Sequence, residues 1–207
     1  VASKRQRWPA VYDLVKRAGC LSKRKAQCAE MRKQAARSAR AESRSLIAAN
    51  ELKPARKWAS RALHTLEKGS LRNEVLFHTA ILASKTGALG QSIRLFRTLE
   101  AEDTGKWRRR AQKGQAELWE AQARFLRAAR TYRRASQFSV TISRQLHLLI
   151  RAAENYHWAK KPDKVRKLRG VIGRVIAGDP FGTSRKYRWW VLRLGRLLKD
   201  TNGPAYA

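Results

Sequence analysis

Residues 116–135 read AELWEAQARFLRAARTYRRA, and their spacing decides the fold. Ala116 and Trp119 are followed by Ala128, Tyr132 and Ala135, so small and aromatic residues recur three and four positions apart, the interval of one helical turn. Sustained alternation of β-branched and aromatic residues with a period of two is absent here and elsewhere in the chain. The segment reads as two helices in succession. Small residues let paired helices approach closely, and the aromatic ring fills the gap to the neighbouring pair. On the second helix Arg124, Arg127, Arg130 and Arg134 fall within roughly a third of the circumference at 100° per residue, away from Phe125, Ala128, Tyr132 and Ala135. One helix thus carries a core stripe and an arginine stripe.

Outward from this segment, small or apolar residues recur twelve positions apart. Ser43 pairs with Ala55, Ala80 with Ser92, Ala116 with Ala128 and Ala153 with Val165, which places the second members 37, 36 and 37 residues apart. The second unit continues with Phe96 and Leu99, the first offers only Ala55, Ala59 and Ala62, and the fourth has Arg169 where a large apolar residue belongs. The A-x3-Y-x2-A arrangement of Ala128, Tyr132 and Ala135 resembles a tetratricopeptide repeat over about residues 31–180, with a period slightly longer than the family's roughly 34 residues. The resemblance implies an all-α fold, a right-handed solenoid of four helix-turn-helix hairpins with terminal capping helices.

Glycines and prolines mark the ends of the segments. A first helix is predicted from Pro9, tolerated in a first turn, to Gly19, and a long alanine-rich one, capped by Ser22, from Lys23 to about Ala49 with room for a break. A last helix, about Ser184 to Lys199, places Tyr187, Trp190, Val191, Leu194, Leu197 and Leu198 on one face, suited to capping a core. Its other face carries Arg185, Lys186, Arg188, Arg193, Arg196 and Lys199, which suits an anionic membrane or a phosphate backbone. The organisation is therefore a basic helical extension at 1–30, hairpins at 31–180, and a capping helix with a tail at 181–207.

Composition limits the function. Hydrophobic residues make up 43% of the 207, enough for a continuous core, yet 47 Lys and Arg face 15 Asp and Glu for a net charge of +32. Such a field repels its own copies and attracts polyanions. Arginine outnumbers lysine, and the guanidinium fork binds phosphate with two parallel hydrogen bonds. No apolar run reaches 18 residues, so no spanning helix is predicted. The start at Val1 points to a processed chain or to a trimmed fragment and leaves the compartment open; an organellar ribonucleoprotein is the favoured setting, with a secreted or periplasmic one as the alternative. Cys20 and Cys28 are eight apart, which fits neither a redox pair nor a zinc site, and two buried thiols are expected in preference to a disulfide.

No catalytic, metal or cofactor site is predicted. His64, His78, His147 and His157 have no ligand spacing, and Glu100, Glu102 and Asp103 cluster where a loop or charge-compensating role is ordinary. Glu42-Ser43 matches the catalytic pair of lytic transglycosylases in two residues only, the glycine-rich segment that follows in that family is missing, and Ser43 already has a packing role. Binding residues are the better expectation. The densest basic tract, Lys106 to Arg134, offers Arg108, Arg109 and Arg110 as well as the stripe. Lys160 and Lys161 open a run through Lys164, Arg166, Lys167 and Arg169, and Lys4, Arg5 and Arg7 lie at the start. Trp107 and Trp189, each next to arginine, are candidate base-stacking platforms beside Arg185, Lys186 and Arg188. The leading expectation is a scaffold that binds RNA by shape and phosphate contacts within a ribonucleoprotein. The alternatives are an adaptor for an acidic protein, as repeat solenoids usually are, or a protein of the cell wall or membrane surface.

Overall fold

A computed structural model describes residues 7–20, 27–178 and 184–201, and ten helices account for the regular structure among them. They are α1 (Arg7–Arg17), α2 (Gln27–Ala48), α3 (Leu52–Thr65), α4 (Ser70–Lys85), α5 (Leu89–Glu102), α6 (Lys106–Ala121), α7 (Phe125–Ser136), α8 (Ile142–Trp158), α9 (Pro162–Ala177) and α10 (Ser184–Thr201). There is no strand among the described residues. The all-α expectation holds, and α2 runs unbroken through 22 residues where a break was allowed. The chain falls into two compact units, residues 1–108 and 109–207.

Four hairpins, α2–α3, α4–α5, α6–α7 and α8–α9, turn in the same way. Asn50, Gly87, Ala123 and Lys160 all have positive φ, at 61°, 78°, 54° and 53°, and they are 37, 36 and 37 residues apart. In each turn the N–H of the left-handed residue donates to the carbonyl three residues back, and the next N–H donates to the carbonyl five back. This pair of bonds satisfies carbonyls that the ending helix leaves open. The spacing matches that of Ala55, Ser92, Ala128 and Val165, so the sequence period is also a backbone period. Gly19, at φ 68°, ends α1 with the same two bonds.

The twelve-residue offset acquires a physical meaning from this turn. Its two positions lie seven residues before and five after the left-handed residue, where the helices of a hairpin face one another. Ser43 Oγ donates to the Ala55 carbonyl at 2.9 Å, and Ser92 Oγ donates to the Ala80 carbonyl at 2.7 Å. Ala116, Ala128, Ala153 and Val165 are fully buried. Ser43 is thus engaged in packing.

Within residues 1–108, α2 packs on α1 and α3, and α4 on α3 and α5. The core is rich in alanine, with Ala35, Ala36, Ala39 and Ala62 beside Tyr12, Val15 and Val75 in one cluster, and Ala55 and Ala59 beside Leu46 and Leu82 in another. Small side chains there permit interaxial distances at the short end of the usual 8–10 Å or so. Cys20 and Cys28 are joined as a disulfide with a Cα separation of 5.1 Å. This corrects the expectation of two free thiols: the bond ties the end of α1 to the first turn of α2.

Within residues 109–207, α8 packs on α7, α9 and α10, and α10 also touches α9. A buried polar chain crosses these helices. Tyr132 of α7 donates its hydroxyl to Glu120 of α6 at 2.8 Å, and Arg151 of α8 bridges Glu120 at 2.6 Å and Glu154 at 3.2 Å. Arg193 of α10 completes it by pairing with Glu154. Burial, reinforced by the bond to Glu120, holds the Tyr132 hydroxyl well above the usual tyrosine range. Tyr187 and Leu194 of α10 are buried, while the side chains of Trp190, Val191 and Leu198 lie outside the described residues.

Candidate polyanion interface

The outward face of α7 is built by what its inward face buries. Ala128, Ala129, Tyr132 and Ala135 are taken into the core, which turns Arg127, Arg130, Arg133 and Arg134 to solvent, with Arg124 exposed at the N-cap. Arg133 was not part of the expected stripe. It is exposed at the edge of that stripe, beyond the buried Ala129 and Ser136, and widens the cationic face to about half of the helix.

Two of these arginines are positioned by an aromatic ring. The guanidinium carbons of Arg124 and Arg127 each lie 5.3 Å from the centroid of the Trp119 ring on α6. Cation–π attraction of this kind, about 0.5–1 kcal/mol at exposed sites, orders the groups before any ligand arrives. Arg130 and Arg133 form no ion pair among the described residues. The nearby acids are engaged elsewhere: Glu117 with Lys113 at 3.5 Å, and Glu120 and Glu154 with Arg151. The face therefore keeps its charge.

The other expected residues are brought together less well. Arg108 and Arg109 are half-buried and only Arg110 of that triplet is exposed, since consecutive helical residues point 100° apart. Trp107 is buried at 8% exposure, its ring 5.9 Å from that of Phe77, so its proposed role as a stacking platform is corrected to core filling. Phe77 lies 30 residues earlier, and nothing local announces the contact. Asp103, from the acidic cluster, accepts hydrogen bonds from the N–H groups of Gly105, Trp107 and Arg108 and thereby caps α6. Glu102 pairs with Arg72 at 3.1 Å.

Lys160 and Lys161 are exposed at the α8–α9 turn, as are Lys164, Arg166, Lys167 and Arg169 on α9, where Arg166 pairs with Asp163 at 2.6 Å. Trp189 is 55% exposed, with the Arg193 guanidinium 4.9 Å from its ring. The side chains of Arg185, Lys186 and Arg188 lie outside the described residues, as do Lys4, Arg5 and the side chain of Arg7.

One basic concavity escaped the sequence reading. Between α2 and the α3–α4 turn, a cavity of about 350 Å³ is lined by Arg32, Lys33, Arg37, Lys68 and Arg72. Its two walls are some 35 residues apart, so only folding assembles it. Arg32 is held there by Glu67 at 2.7 Å. No group of three His, Cys, Asp or Glu residues able to hold a metal occurs among the described residues. No described helix is long and apolar enough to cross a membrane.

No family model matches the chain, and no curated protein does.

Proposed function

We propose that this chain is a non-enzymatic, strongly basic helical-repeat scaffold that binds a polyanion, RNA above others, within a ribonucleoprotein. The observation that carries the reading is the α7 face: five exposed arginines on one helix, two of them pre-ordered on Trp119, with the neighbouring carboxylates engaged elsewhere. Guanidinium groups one helical turn apart are about 5–6 Å from one another, close to the spacing of backbone phosphates. Recognition of this kind tracks phosphate and shape rather than base edges. The repeated turn and the four buried small-residue pairs support a tetratricopeptide-like relationship among the hairpins.

A salt titration of binding to RNA, duplex DNA and heparin tests the reading. RNA binding that is tighter than heparin binding at near-physiological salt, and that falls steeply with added salt, is expected. Replacing Arg124, Arg127 and Arg130 together by Glu weakens it sharply while the helical circular dichroism is retained. Equal affinity for RNA and heparin would sink the proposal and favour an adaptor for an acidic protein instead.

A further inference from the structure

The left-handed turn supplies a common origin from which the four hairpins can be aligned residue by residue. Seven positions after it stand Lys57, Arg94, Arg130 and Lys167, one on each of α3, α5, α7 and α9. Each follows a buried residue, Ala55, Ser92, Ala128 or Val165, by two positions. Two helical steps are 200°, so each cation occupies the point on its helix most nearly opposite the core. All four are exposed.

Exposure follows from the fold, but a shared positive charge does not. One turn earlier on the same helices the residues are Pro54, Gln91, Arg127 and Lys164, and one turn later they are Ser60, Arg97, Arg133 and Gly170. Only the central position is basic in every hairpin. Its four cations also lack ion pairs among the described residues, unlike the framework arginines Arg40, Arg72 and Arg151, which are matched with Glu74, Glu102 and Glu120. Several acids neutralise cations between helices, and beside the register, among the described residues, only Asp163 acts on one of its cations, Lys167, while its ion pair is with Arg166.

We infer that this position is a phosphate contact in each hairpin, Lys57 and Arg94 serving one compact unit and Arg130 and Lys167 the other, so that each unit engages RNA through its own pair and binding does not rest on α7 alone. The inference rests on the polyanion reading above and specifies how that binding is distributed. Each contact releases condensed counterions from the nucleic acid and steepens the salt dependence by about 0.7–0.9 in log–log slope.

The test uses the full chain and a labelled RNA stem-loop, with affinity followed by fluorescence anisotropy between about 50 and 200 mM salt. The variant Lys57→Ala/Arg94→Ala/Arg130→Ala/Lys167→Ala is compared with Lys16→Ala/Arg17→Ala/Lys85→Ala/Arg144→Ala, which removes the same charge from exposed positions outside the register. The register variant is expected to lose about 3 from the slope, and the comparison variant far less. The four single substitutions should each lower the slope by about 0.7–0.9, which keeps the test intact if the quadruple variant is poorly folded. Equal slopes in the two quadruple variants would overturn the register while leaving polyanion binding in place. Failure of the unaltered chain to bind RNA would overturn the proposed function itself.

Discussion

Ser92 is the residue through which the packing of α4 on α5 can be measured. It is fully buried, and its hydroxyl donates to the Ala80 carbonyl at 2.7 Å. Ser92→Ala removes that bond, but the Ala80 carbonyl lies inside α4 and keeps its place in the helical ladder, so no buried acceptor is orphaned. The expected cost is about 0.5–1 kcal/mol, the low end for a lost hydrogen bond. Ser92→Val loses the same bond and also forces a branched side chain between two helices held close by small residues. Overpacking of that kind adds roughly 1–3 kcal/mol, for a total of about 1.5–4 kcal/mol. For a unit of this size each kcal/mol lowers Tm by roughly 4–8 °C. Urea unfolding followed by circular dichroism, with thermal melts alongside, reads both effects. A valine variant as stable as the alanine variant would refute the claim that the helices meet at this position. Because Arg94 lies two residues further along α5, the valine variant should also disturb RNA binding where the alanine variant does not.

Three further outcomes follow from other contacts. Replacing Cys20 and Cys28 by Ser opens a short loop and should lower the stability of the first unit by about 2.5 kcal/mol, with unfolding that no longer responds to added reductant; unchanged urea midpoints would argue against the bond. Tyr132→Phe should cost about 1 kcal/mol, and in an ultraviolet titration Tyr132 should remain un-ionised after exposed tyrosines have lost their protons. His147 has its pKa lowered by burial and then by the charges of Lys113, Arg151 and Arg193, with Glu154 acting the other way. The folded state therefore resists protonating it: its contribution is intact above the unfolded value near 6.5 and is lost as pH falls through the lower folded value. Melting temperature should decline on acidification below about pH 6.5, and His147→Asn should flatten that decline; an identical pH profile in the variant would count against the assignment.

What the sequence disclosed was whatever depends on neighbours in the chain. Ser43 and Ala55, or Ala116 and Ala128, lie on successive helices joined by one short turn, so helical period and loop length were enough to pair them. The exposure of Arg124, Arg127, Arg130 and Arg134 followed from the same stripe that buries Ala128 and Tyr132. Contacts between residues some thirty or more positions apart were not legible. Trp107 looked like a stacking platform because its flanks are basic, and only the packing of Phe77 against it shows otherwise. Glu120, Arg151, Glu154 and Arg193 are unremarkable as letters, and their linkage needs α6, α8 and α10 side by side. The disulfide likewise was not legible, because a spacing of eight residues does not by itself bring Cys20 and Cys28 together.

The hairpin turn separates what must be kept from what can vary. Its backbone recurs through Asn50, Gly87, Ala123 and Lys160, four residues with no side-chain chemistry in common. Three of them accept a conformation that is uphill by roughly 1 kcal/mol or more without glycine's freedom. Two hydrogen bonds and the packed helices on either side hold the geometry, so the side chain at each tip carries no structural duty. Each tip is a blank site on a fixed frame: lysine at 160 extends the cationic surface, while alanine at 123 leaves it bare. Substitution of these four letters would change the surface that each turn presents without redrawing the hairpins.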